Sequence, residues 1–135
     1  MNLAPLSPQI STAGQLSLED VDQAVKAGVT ILVSHRPDDE EPGQPSHADL
    51  ARAAEAAGAR FVAAPVMGLP SPEAVQATAD VMASMGPHDR AVFFCRSGMR
   101  SAAAWAMAER LRGVEADELR AAALNAGYDL SRLPL

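Results

Sequence analysis

Nine consecutive residues, Phe93-Phe94-Cys95-Arg96-Ser97-Gly98-Met99-Arg100-Ser101, gather the side chains best suited to covalent chemistry on an anion. Cys95 is the only cysteine of the chain. Its thiolate would be the nucleophile, and Arg96 and Arg100 favour the thiolate over the thiol. The apolar run Ala91–Phe94 reads as a short buried strand and residues 101–112 as a helix, so Cys95–Arg100 form the turn between them. A helix start presents unpaired N–H groups and the positive end of its dipole, which suits a bound anion and should lower the pKa of Cys95 further. Gly98 lets the backbone curl close to a ligand. A free cysteine can also be an inert core residue. Two arginines, a glycine and two serines crowded at one strand end make a poor core plug, however, and favour a reactive loop with Arg96, Ser97, Gly98, Met99, Arg100 and Ser101 around the anion.

The elements around this loop must put it at an edge of the fold. Ile10–Ala13 reads as a strand; Ser17 caps a helix to about Ala27, with Glu19 and Asp20 in its first turn, Leu18, Val21 and Val25 as its apolar stripe, and Gly28 as its stop. Val29-Thr30-Ile31-Leu32-Val33 is a continuous apolar, largely β-branched run, as expected of a strand covered on both faces. Residues 36–45 hold three prolines, four acids and a glycine, which marks a loop. Ser46 caps a second helix that stops at Gly58, residues 60–64 follow as a strand, and residues 65–70 as a loop. Ser71-Pro72-Glu73 then starts a helix reaching about Met85, and a last helix spans about 115–125. Strands alternating with helices predict an α/β fold, a small mainly parallel sheet flanked by helices. Ligands of such sheets collect beyond the carboxyl ends of the strands. The loops at 36–45, 65–70 and 95–100 should therefore meet there, and the site should be composite.

Bulk composition narrows the partners. With 135 residues, 48% hydrophobic and 21% charged, the chain is expected to form one domain, 1–135, with its core at about 10–126. A net charge of -6 speaks against nucleic acid and against an anionic membrane surface, and the oligomeric state is not legible. A lone cysteine carries no mark of an oxidising compartment, and no segment resembles a signal peptide or a membrane span, so a cytoplasmic location is expected. His35, His47 and His88 lack ligand spacing, so neither a metal nor another cofactor is expected; His35 is of most interest because it ends a strand on the predicted active edge. Trp105 and Met107 read as packing residues of the helix after the loop. The acids Asp38, Asp39, Glu40 and Glu41 could supply a general acid or pair with the cysteine loop, and Arg96 is the expected partner.

The run Arg36–Pro45, the later Ala64-Pro65-Val66, and Cys95–Ser101 followed by Trp105 resemble the DUF442 family, the phosphatase-like domain of beta-lactamase-hydrolase-like proteins. The resemblance covers roughly residues 10–111 and implies a cysteine-phosphatase-like fold, with activities described as phosphatase or sulfurtransferase. Cysteine phosphatases resemble one another in having a histidine before the cysteine and five residues between cysteine and arginine. Here Phe94 precedes Cys95 and four residues separate it from Arg100, a spelling similar to the rhodanese-type persulfide loop. Related phosphatases usually keep an aspartate on the loop that here reads Pro65–Pro70, which contains no acid. Expelling an alkoxide needs a proton, whereas sulfane sulfur transfer releases a stable anion. The reading is thus a thiol-dependent enzyme with Cys95 as nucleophile and Arg100 as anion anchor. Sulfur transfer through a Cys95 persulfide is preferred; phosphomonoester hydrolysis through a phosphocysteine is the alternative, and an inactive anion-binding module the second. The substrate would be a small anion: thiosulfate, a persulfide or a phosphate ester.

Overall fold

A computed structural model describes residues 1–135. Four parallel strands, β2 (Ile10–Ala13), β3 (Ile31–Ser34), β4 (Arg60–Ala63) and β5 (Ala91–Phe94), share a sheet with the short β1 (Ala4–Pro5). The order is β1-β2-β5-β3-β4, with β1 antiparallel to β2. The amino-terminal lead therefore contains an edge strand. Proline is tolerated there because an edge position leaves room for a residue without an N–H.

Each helix start has a local cause. Ser17, Ser46 and Ser71 accept from the backbone N–H three residues on, capping α1 (Leu18–Lys26), α2 (His47–Ala57) and α3 (Pro72–Ser84). α4 (Met99–Leu111) and α5 (Ala116–Asn125) have no side-chain cap. On α1 the buried residues are Val21 and Ala24, and Leu18 of the expected stripe lies exposed at the first turn. Val29 and Thr30 fall outside β3 because the Val29 N–H closes the end of α1 on the Ala24 carbonyl.

The sheet is sandwiched. One face, with Leu32, Val92 and Phe94, packs on α1 and α2 through Val21, Leu50 and Ala54. The other, with Ile31, Val33 and Phe93, packs on α3, α4 and α5 through Val75, Trp105 and Leu119. Trp105 is thus core, as its helix position suggested. Register aligns the carboxyl ends: Ala13 pairs with Phe94, Phe94 with Ser34, and Ser34 with Ala63. Gly14, Cys95, His35 and Ala64 consequently leave the sheet side by side.

Candidate active site

α4 begins at Met99, two residues earlier than expected, so the turn after β5 has only Cys95, Arg96, Ser97 and Gly98, and Arg100 lies in the first helical turn. The turn is this tight because Gly98 adopts a left-handed conformation, φ 96°. Gly98 supplies no capping side chain to α4, and the only side chain on its first N–H groups is the Ser97 hydroxyl, which accepts from the Met99 N–H at 3.4 Å. Cys95 is buried, and its sulfur points into the turn, accepting from the Gly98 N–H at 3.1 Å. The neighbouring β2 end braces the loop: the Gln15 N–H donates to the Arg96 carbonyl at 3.3 Å, and a Cβ on Gly14 would press that oxygen at 3.0 Å.

Arg100 is anchored by the loop after β3. Its Nη1 donates to Glu40 Oε2 and its Nη2 to Glu40 Oε1, each at 2.8 Å, while Nη1 also reaches the Val66 carbonyl at 2.9 Å. Glu40 Oε1 accepts in addition from Nε of Arg36 at 2.8 Å. Arg36 is itself buried to 1% exposure and is completed by Gln15 Oε1 at 3.1 Å and Glu41 Oε1 at 3.3 Å. Hydrogen bonds from Arg100 first, then Arg36, pull the Glu40 carboxyl down to about 2. The bond to Glu40, with a smaller contribution from the Cys95 sulfur, raises the pKa of Arg100.

His35 sits beneath the loop with no exposed surface. Its Nε2 lies 2.9 Å from Thr78 Oγ1 and its Nδ1 2.9 Å from Ser101 Oγ. Thr78 donates its hydroxyl proton to the Ala74 carbonyl at 2.8 Å, so it accepts from His35. This network assigns the proton to Nε2 and leaves Nδ1 as acceptor for the Ser101 hydroxyl. Burial first, and the Arg100 charge second, lower the His35 pKa from 6.5 to about 3, so the ring is neutral.

Several expectations are corrected. Arg96 is exposed and makes no ion pair with the acids at 38–41; Arg36 and Arg100 hold them instead. Arg96 leaves the loop on the solvent side, whereas the first turn of α4 aims Arg100 at the β3 loop. Glu40 is a charged pairing partner with both oxygens occupied, not a general acid. Asp38 accepts from the His47 N–H at 2.8 Å, and Asp39 takes a left-handed turn, φ 62°, so neither is bonded to the cysteine loop. Ser101 is buried with its hydroxyl bonded to His35, not turned toward an anion in the loop. Ser97 and Met99 stay at the exposed rim, where Met99 borders a pocket of about 220 Å³ shared with Arg100, Leu69 and Leu130. No three His, Cys, Asp or Glu side chains gather at metal-binding spacing.

Sequence reasoning missed two contributors. Arg36 read only as part of a loop, though its spacing of four from Glu40 was a usable sign. Tyr128 lies beyond the last helix, and its hydroxyl meets Thr12 Oγ1 at 3.1 Å beside Gly98; no local pattern reveals this.

A parallel sheet whose central strand ends in a cysteine, followed by a tight turn and an arginine in the first turn of a helix, defines a cysteine-phosphatase-like α/β protein. The chain belongs to the family of the beta-lactamase hydrolase-like protein, phosphatase-like domain, which it matches over residues 2–112. A beta-lactamase hydrolase-like protein of Xylella fastidiosa is 28% identical over 98% of this chain, and the chain spans only 31% of that relative's length. A candidate phosphatase of Neisseria meningitidis superposes with a TM-score of 0.81 at 25% identity, covering 98% of this chain and 93% of that one. TpbA of P. aeruginosa, in complex with phosphotyrosine, shares the fold with a TM-score of 0.60 at 17% identity over 98% of this chain and 78% of its own. The family match and the Neisseria structure support the phosphatase alternative better than the sulfur transfer that the loop spelling suggested. No helix is long and apolar enough to cross a membrane.

Proposed function

We propose that the chain is a thiol-dependent phosphomonoester hydrolase with Cys95 as nucleophile and Arg100 as anion anchor. The observation that carries the reading is the Cys95 sulfur turned into the loop, 3.1 Å from the Gly98 N–H, at the central strand of a phosphatase-like fold. The thiolate attacks phosphorus, the leaving oxygen departs, and water then hydrolyses the phosphocysteine. Backbone N–H groups at the start of α4 and the Arg100 guanidinium stabilise the transferring oxygens, fixed in advance by Glu40 and the helix. Cys95→Ser should abolish phosphate release from an aryl phosphate while leaving the fold intact.

Sulfur transfer is the second reading, favoured by the four residues between Cys95 and Arg100 and by the acid-free loop 65–70. Mass spectrometry after thiosulfate treatment separates the two: a gain of about 32 Da on Cys95 with no phosphate release marks a persulfide. Neither adduct nor phosphate release would leave an anion-binding module.

A further inference from the structure

Any phosphate ester cleaved at Cys95 must lose its leaving group, and the protonation of that group is set by the side chains around the loop. Residues 65–70, which face Arg100 through the Val66 carbonyl, are Pro, Val, Met, Gly, Leu and Pro. Of the acids at 38–41 only Glu40 is bonded to the cysteine loop, and its two oxygens already accept three N–H groups from Arg36 and Arg100. His35 has one ring nitrogen donating to Thr78 and the other accepting from Ser101, both inside the core. Asp129, which borders the same pocket as Arg100, accepts from the Ser131 N–H at 2.9 Å. The Tyr128 hydroxyl accepts from Thr12 Oγ1 at 3.1 Å beside Gly98 and makes no hydrogen bond to Cys95 or Arg100.

We propose that this site works without a proton donor: the leaving group departs as its own oxyanion, which restricts the enzyme to phosphate esters of acidic hydroxyls, aryl rather than alkyl phosphates. The inference rests on the hydrolase reading and deepens it. In the first step the S–P bond forms as the P–O bond breaks, the bonding pair goes to the aryl oxide, and bulk water supplies its proton afterwards. In the second step water attacks phosphorus, the P–S bond returns its pair to Cys95, and the proton of the attacking water passes to solvent. No oxidant or further reactant enters. The pocket beside Arg100, about 220 Å³, is lined by Leu69, Met99, Ala103, Leu130 and Leu133 together with the charged Asp129 and Arg132, and its apolar side chains give an aromatic leaving group a surface to pack on.

The test is kcat/KM for a series of substituted phenyl phosphates, together with an alkyl phosphate, on the intact chain and on Cys95→Ser. With no donor, charge accumulates on the leaving oxygen, and kcat/KM should fall roughly three- to tenfold for each unit rise in the pKa of the phenol, with the alkyl ester inert. Cys95-dependent turnover that changes less than about twofold per unit would overturn this inference and leave the hydrolase reading standing. A shallow dependence that steepens in Tyr128→Phe would overturn it too, and would identify the donor. No Cys95-dependent release from any ester would overturn both.

Discussion

Gly98→Ala tests the packing of the cysteine loop most sharply. A methyl group there would overlap the Tyr128 hydroxyl oxygen and lie 2.9 Å from Cζ, with φ at +96°. Two costs follow. The left-handed backbone costs a residue with a Cβ about 1–2 kcal/mol. Expelling the Tyr128 ring forfeits about 1–2 kcal/mol of apolar burial, and its hydrogen bond to Thr12 about 1 kcal/mol more. The single variant should therefore lose about 3–5 kcal/mol, a large share of the roughly 5–15 kcal/mol typical of a domain. In a Tyr128→Ala background only the backbone cost remains, so the same substitution should cost about 1–2 kcal/mol. Urea unfolding of the four proteins closes a double-mutant cycle with an expected coupling of about 2–3 kcal/mol. Costs that add to within about 0.5 kcal/mol would refute the contact and with it the role of Tyr128 in shaping the loop.

Arg100→Lys should lower kcat/KM about a hundredfold or more while leaving the fold intact, since an ammonium cannot reproduce the guanidinium fork on Glu40 and on an anion; steady-state kinetics with an aryl phosphate checks this. Glu40→Gln should weaken the alignment of Arg100, costing about tenfold in kcat/KM and about 1 kcal/mol in urea unfolding, the latter shrinking as salt is raised. His35 gives a pH dependence of definite sign. Its pKa falls from 6.5 unfolded to about 3 folded, so the unfolded chain binds the extra proton, and the stability present above pH 6.5 is lost as pH falls toward 3. Unfolding in urea should become easier by about 2 kcal/mol between about pH 7 and pH 5, and His35→Gln should remove that component. The depressed Glu40 carboxyl acts in the same direction, but its window lies below 4.5, outside that comparison.

What the amino-acid order determined by itself was local. Ser17, Ser46 and Ser71 announce helix starts because a cap is a hydrogen bond to a backbone group three residues away. Gly58 announces a stop, and Ala91–Phe94 a buried strand, on equally short-range grounds. The cysteine loop was readable in the same way, because Cys95, Gly98 and Arg100 lie within six residues. Tertiary structure alone decided partnership. Glu40 meets Arg100 across 60 residues and passes over the exposed Arg96, because strand order and register, not charge, choose which guanidinium faces it. His35 acquires its neutral state from burial and from the Arg100 charge, and its tautomer from Thr78 and Ser101, which arrive on two different helices. Tyr128 reaches both Gly98 and Thr12 because the sheet places β2 beside β5. A side chain's protonation and the room left beside a glycine depend on what packs against them, and that is fixed by crossovers spanning most of the chain.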